Sequence, residues 1–173
     1  MIIRAETQAD AAAIRAVNVA AFGGPLEAEL VDRLRAAGRL TISLVAEAHA
    51  GETIAVETIV GHIAFSPVTA TDGSRGFGLA PLAVRPERQR RGIGSSLMMR
   101  GLRLCRERTE GYVVVLGEPA YYGRFGFAAA SAFGLNDEYG GGDAFQVLEL
   151  QPGGIPQGAG VVRYSPEFAL FGV

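Results

Sequence analysis

The chain reads as a single α/β domain over residues 1–173. Three observations predict that class. Apolar runs of strand length alternate with apolar stripes at helical spacing, the pattern of a layered α/β domain. Over residues 77–116 a strand-like run, a long amphipathic stretch and a second apolar run follow one another. That is a strand–helix–strand unit, expected to be right-handed. No repeat, long linker or second core interrupts the 173 residues, a length that suits one domain with a sizeable core.

Residues 1–4 form a short first strand. Thr7, followed by Asp10, resembles a capping box with Asp in place of Glu. The helix it opens covers residues 9–21, with Ile14, Val17 and Ala21 as its apolar stripe. Phe22-Gly23-Gly24-Pro25 breaks it. A second helix covers residues 26–37 on an apolar face of Leu30, Val31 and Leu34, and Gly38 ends it. Strands over 41–47 and 59–68 form an antiparallel hairpin with an elaborated loop at 48–58. Thr71-Asp72-Gly73-Ser74 turns the chain into a strand over 77–84. Residues 92–108 form a long helix, Ile93, Leu97, Gly101, Leu104 and Cys105 on one face and Arg100, Arg103, Arg106 and Glu107 on the other. Residues 112–116 are continuously apolar, a strand buried on both faces. A short helical turn at 119–124 and an alternating strand at 145–150 follow. The Pro/Gly-rich stretch 151–160 and the segment 161–173 have no clear type.

Composition excludes several classes. With 49% apolar and 20% charged residues and a net charge of −2, nothing calls for nucleic acid as partner. Cys105 is the single cysteine, so no intrachain disulfide forms, which suits a reducing compartment. The first ten residues lack a signal-peptide core and no apolar run reaches transmembrane length. The expectation is a cytoplasmic protein with no membrane partner; a homodimer stays open. His49 and His62 have no metal-ligand spacing with Cys105, so no metal is expected. Cys105, on the apolar helix face, reads as a buried inert thiol.

The chemistry concentrates in 84–95, between a strand and a helix. A helix N-terminus exposes amides with no internal partner and carries partial positive charge. Gly92 and Gly94 remove side chains that would hold an anion away, and Arg88, Arg90 and Arg91 add charge. The junction suits a phosphate or pyrophosphate; a solvated basic loop has the same composition. It lacks the Gly-Lys-Ser/Thr ending of a P-loop and the first glycine of the dinucleotide fingerprint.

Val84, Pro86, Gln89, Gly92 and Gly94 together resemble the acetyl-CoA signature of the GNAT family of N-acetyltransferases. Downstream, Tyr122-Gly123-Arg124-Phe125-Gly126-Phe127 is similar to that family's Tyr-x-x-x-Gly-Phe segment. The longer run 117–127 resembles its YhbS-like branch. The resemblance covers residues 1 to about 150. It implies a twisted, mixed, mostly antiparallel sheet with helices on both faces and a splay between the fourth and fifth strands.

The implied activity is transfer of an acetyl group from acetyl-CoA to a primary amine, by direct attack in a ternary complex. Backbone groups of Leu82, Ala83 and Val84 would hold the pantetheine arm, with Pro81 accommodated at a bulge. Gln89, Arg90, Arg91, Gly92, Ile93, Gly94 and Ser95 would hold the pyrophosphate, largely through amides. Leu82 N–H would stabilise the oxyanion and Tyr122 would protonate the thiolate, with Tyr121 one position away as its rival. The general base stays open among Glu27, Glu29, Glu57, His62 and a water chain. The asparagine many relatives carry after the buried strand is replaced by Gly117-Glu118-Pro119. Substrate choice is assigned to residues 22–29, 48–58 and 134–143. Asn136, Asp137, Glu138 and Asp143 make the last of these acidic, which suits a cationic amine or simple solvation. The alternative function is a non-catalytic acyl-CoA-binding module.

Overall fold

The computed structural model describes residues 1–49, 58–158 and 160–172. The expected hairpin loop 48–58, and with it Glu57, lies mostly outside the described residues. The chain divides into two compact units, residues 1–65 with 80–102, and residues 66–79 with 103–172.

The first unit opens with β1 (Ile2–Ala5). A single 3-10 turn, Gln8–Asp10, leads into α1 (Ala11–Phe22). Asp10 accepts from Thr7 N at 2.7 Å, the half of the capping box that the sequence anticipated. Gly23 ends α1 at φ 71°, the left-handed conformation glycine adopts without steric cost. α2 (Leu26–Ala36) closes in the same way: Gly38 sits at φ 70° and Arg39 N donates to Leu34 O at 2.8 Å. β2 (Ile42–Glu47) pairs antiparallel with β1 and with the first half of β3 (Ile59–Ala70). The far half of β4 (Arg75–Val84) follows β3 in the strand order, and α3 (Ile93–Arg106) leaves from it. Ile14, Val17, Val31, Val45, Ile59 and Ala83 share one buried cluster. α3 lies close on the strands because two glycines permit it. A Cβ on Gly101 would meet the Phe65 ring at 2.6 Å, and one on Gly61 would meet Leu97 at 3.0 Å.

The second unit is built on β5 (Tyr112–Leu116), buried from Tyr112 to Val115 as its composition predicts. β5 pairs parallel with β4 at Phe77↔Val113 and Gly78↔Val114. On its other side lies antiparallel β8 (Phe145–Glu149), followed by β6 (Ala128–Ala129). α4 (Pro119–Tyr122) is a single turn after β5. Two short strands had no sequence signal. β7 (Leu135–Asp137) pairs parallel with β9 (Gly160–Arg163), and β9 pairs antiparallel with β3 at Thr69↔Arg163 and Ala70↔Val162. The untyped segment 161–173 therefore begins as a strand and continues as a 3-10 helix, Pro166–Phe171. The sheet is mixed and mostly antiparallel, as expected.

Candidate functional site

In the first unit, β4 brings Leu82, Ala83 and Val84 to the mouth of the basic loop. Ala83 is buried in the core cluster, while Leu82 and Val84 are half-buried, one strand period apart. The Ala80–Pro81 peptide, just before them, is cis. The loop itself is pinned. Gln89 Nε2 donates to Val84 O at 3.1 Å, and Arg88 N donates to Arg85 O at 2.8 Å across the turn Pro86–Arg88. Arg85 turns away from the loop: its backbone N and its Nε donate to Val60 O at 2.9 Å and Ile59 O at 3.2 Å. Of the basic cluster, Arg90 and Arg91 are the exposed cations that carry no ion pair among the described residues.

Arg90 has φ 62°, which a non-glycine residue seldom adopts, and Gly92 has φ 81°. Left-handed residues thus alternate with Arg91 between them, the backbone alternation that turns successive amides into an anion-binding concavity. A Cβ on Gly92 would meet nothing within 4 Å, so the approach to the amides is open. Ile93 is buried and anchors the first helical turn, and Ser96 N donates to Gly92 O at 3.0 Å. The amides of Ile93, Gly94 and Ser95 precede that first helical bond, where the helix carries its partial positive charge.

In the second unit, Tyr122 ends α4. Its ring stands edge-on to Tyr121 at 5.0 Å and to Phe127 at 5.8 Å. Burial, then the neighbouring Tyr121, pushes its phenol up to about 12, so it stays protonated throughout the physiological range. Tyr121 is raised by burial too, against the pull of Arg124, whose guanidinium lies 5.4 Å from its ring. Glu118 starts α4, its carboxylate accepting from Ala120 N at 3.3 Å. Gly117 opens the Gly117-Glu118-Pro119 segment that replaces the asparagine of the family pattern. A Cβ there would lie 2.4 Å from Cε2 of Tyr122, so the glycine makes room for the ring.

The base candidates fall in different environments. Glu29 is paired with Arg33 on α2, and Glu27 is half-buried on the same helix. His62 is wholly buried. Asn18 Nδ2 donates one hydrogen to Ile14 O at 3.0 Å and the other to His62 Nδ1 at 3.1 Å, so Nδ1 is the acceptor and Nε2–H donates to Ser43 Oγ at 2.8 Å. Burial, then Arg35, lowers this imidazole to about 3. It is a neutral core group with both nitrogens engaged. Cys105 is buried, its thiol pushed up to about 12, as an inert cysteine should be.

In the mixed sheet β4 and β5 pair in parallel with α3 between them in the chain, and a loop with left-handed Arg90 and Gly92 leads into α3. The chain belongs to the acetyltransferase (GNAT) family, whose model matches residues 12–127. It is 36% identical over 173 residues to the uncharacterized N-acetyltransferase YhbS of Escherichia coli K12, covering 99% of this chain and 100% of that one. The solved structure of YhbS from Escherichia coli in complex with CoA superposes with a TM-score of 0.89 over 99% of this chain and 93% of that one. A GNAT family acetyltransferase from Brucella melitensis in complex with acetyl-CoA is 41% identical, with a TM-score of 0.77 over 96% of this chain and 97% of that one. Among the described residues no helix is long and apolar enough to cross a membrane.

Proposed function

We propose that this chain transfers the acetyl group of acetyl-CoA to a primary amine by direct attack, without an acyl-enzyme. The observation that carries the reading is the loop: an open, left-handed Gly92 beside a left-handed Arg90, leading straight into the first turn of α3. Amides of residues 90–95 would hold the pyrophosphate, with Arg90 and Arg91 adding charge and Gln89 fixing the loop against Val84. Backbone groups of Leu82, Ala83 and Val84 would receive the pantetheine arm, and Leu82 N–H would stabilise the oxyanion. Tyr122 is the proposed proton donor to the departing thiolate. Burial keeps its phenol protonated across the physiological range, so the proton is there to give; the raised pKa itself makes the phenol a weaker acid, and the role rests on its place in the Tyr-x-x-x-Gly-Phe segment.

Of the base candidates, His62 is set aside, because both its ring nitrogens are engaged in the core. We place the reaction in the cytoplasm, where a lone buried thiol suits the reducing environment. One folding domain is the accompanying proposal, since β3 and β4 each run through both units.

The test is a thermal melt with acetyl-CoA, with ATP and NAD as controls. Ligand at about 100 times its Kd adds roughly 2.7 kcal/mol, a rise of about 5–10 °C for a domain of this size. A rise with acetyl-CoA alone supports the reading; none at millimolar acetyl-CoA overturns it.

A further inference from the structure

The loop that leads into α3 carries glycine at positions 92 and 94. Glycine gives an anion room to approach the amides. It also gives the backbone a freedom that costs affinity unless something removes it before the ligand arrives. Two side chains remove it, one at each end of the loop. At the strand end Gln89 Nε2 donates to Val84 O at 3.1 Å. At the helix end the hydroxyl of Ser96, one turn into α3, donates to Gly92 O at 3.0 Å.

Gly92 O also accepts the backbone N–H of Ser96 at 3.0 Å. Both donors to this carbonyl therefore come from one residue. A carbonyl oxygen has two lone pairs, so its accepting capacity is filled. The Gly92–Ile93 peptide is planar and trans, with its C=O and its N–H pointing in opposite directions. Holding the carbonyl along the helix towards Ser96 aims the Ile93 N–H outward from the helix start, the side from which an anion binds. Packing holds the far side of the same peptide: Ile93 is buried, and its Cγ2 would lie 3.1 Å from a Cβ on Gly61. Gly92 itself, the residue before α3, has no side-chain oxygen with which to cap the amides of the first turn. Those amides are left for a ligand, and the aim of the first depends on the carbonyl that Ser96 holds.

Helix stability does not account for this bond. Serine is a weaker helix former than alanine, and a hydroxyl bonded back to the carbonyl four residues earlier slightly destabilises the helix that carries it. The bond is made at a peptide whose N–H belongs to the cofactor loop. We propose that Ser96 is a positioning residue for acetyl-CoA: its hydroxyl pins the Gly92–Ile93 peptide so that the Ile93 N–H already points towards the pyrophosphate before the cofactor binds. The single hydroxyl hydrogen is spent on Gly92 O, so Ser96 acts through Ile93 rather than as a donor to phosphate. The inference rests on the acetyl-CoA reading of the loop and deepens it.

The experiment titrates acetyl-CoA into the ¹⁵N-labelled wild type, Ser96→Ala and Ser96→Thr, and records the melting temperature of each free chain. The wild-type Ile93 amide should shift saturably. Ser96→Ala should move the Ile93 amide resonance of the free chain and weaken acetyl-CoA by roughly 2- to 10-fold, the range for one neutral hydrogen bond. Its free-chain melting temperature should stay level or rise, since alanine is the better helix former. Affinity lost without stability lost is what a merely structural serine would not produce. Ser96→Thr keeps a hydroxyl that reaches the same carbonyl within a helix and should restore wild-type affinity. Equal affinity in Ser96→Ala, a loss that threonine does not restore, a loss matched by a falling free-chain melting temperature, or an Ile93 amide that stays put while acetyl-CoA binds overturns the role of Ser96 and leaves the acetyl-CoA reading standing. No acetyl-CoA binding to the wild type overturns that reading, and the role of Ser96 with it.

Discussion

Gly101→Ala tests how α3 is held on the first unit. Gly101 is mid-helix, where alanine is the better former by about 1 kcal/mol, so propensity alone predicts stabilisation. Packing opposes it. The new Cβ would lie 2.6 Å from Cε2 and 2.9 Å from Cζ of Phe65, a ring with 0% exposure. A fully buried aromatic ring has no free end to swing aside, so either α3 or β3 must shift. Overpacking of this kind costs about 1–3 kcal/mol, and the rigid partner places it in the upper half of that range. The net expectation is a loss of about 1–2 kcal/mol, or about 2–8 °C in Tm. Gly61→Ala is the comparison. Its Cβ would meet Leu97 at 3.0 Å and Ile93 at 3.1 Å, both through terminal methyls that yield more easily, so its loss should be smaller. Thermal unfolding followed by circular dichroism measures both. An unchanged or raised Tm for Gly101→Ala would show that the helix–sheet spacing is not set by these glycines.

Other outcomes follow from the same structure. Gly92→Glu places a carboxylate at the proposed pyrophosphate position and should abolish the acetyl-CoA melt shift. Gly92→Ala shares the backbone strain at φ 81° without the charge and should retain part of it; equal loss in both would assign the effect to strain. Tyr122→Phe should lower kcat by about 10²-fold or more in a thiol-release assay with acetyl-CoA binding intact, and unchanged kcat would remove the tyrosine from proton transfer. The Arg4 guanidinium lowers the Asp10 carboxyl from its ordinary 3.8 to about 2. A depressed folded-state pKa contributes stability that is present above about 4 and is lost as pH falls towards 2, so urea stability should decline over that window, and the decline should shrink in Asp10→Asn. Cys105 should resist thiol reagents until the chain unfolds; native-state labelling would contradict its burial.

The sequence was most legible where local pattern and packing agree. Of the stripe Ile93, Leu97, Gly101, Leu104 and Cys105, all but the half-buried Leu104 lie on the buried face of α3, where Met98 and Leu102 join them, and the apolar run Tyr112–Val115 is buried in β5. The strand–loop–helix junction was legible because Pro86 and the glycines at 92 and 94 punctuate the chain between two apolar patterns. β7 and β9, of three and four residues, were not legible. Strands that short have no measurable period, and their partners lie far away along the chain. Arg85 adjoins Arg88, Arg90 and Arg91 in the sequence, but a residue's choice between a phosphate and a neighbouring strand's carbonyls is made in three dimensions. Asp137 was counted with an acidic, solvated loop, and nothing local distinguishes a carboxylate that backbone amides will enclose from one that water will. Gly117 looked like a departure from pattern, and the Tyr122 ring that requires it is visible only when the turn is built.

The pairing of β9 with both β3 and β7 has a consequence for how the chain is made. Residues 1–65 and 80–102 contain a buried cluster of their own. The second unit cannot close until residues 160–163 have left the ribosome and crossed back to Thr69 and Ala70. Until then the end of β3 is a strand edge without its partner, the kind of surface that recruits neighbouring chains. Pairing with β9 is therefore what keeps the end of β3 from offering that edge to another chain.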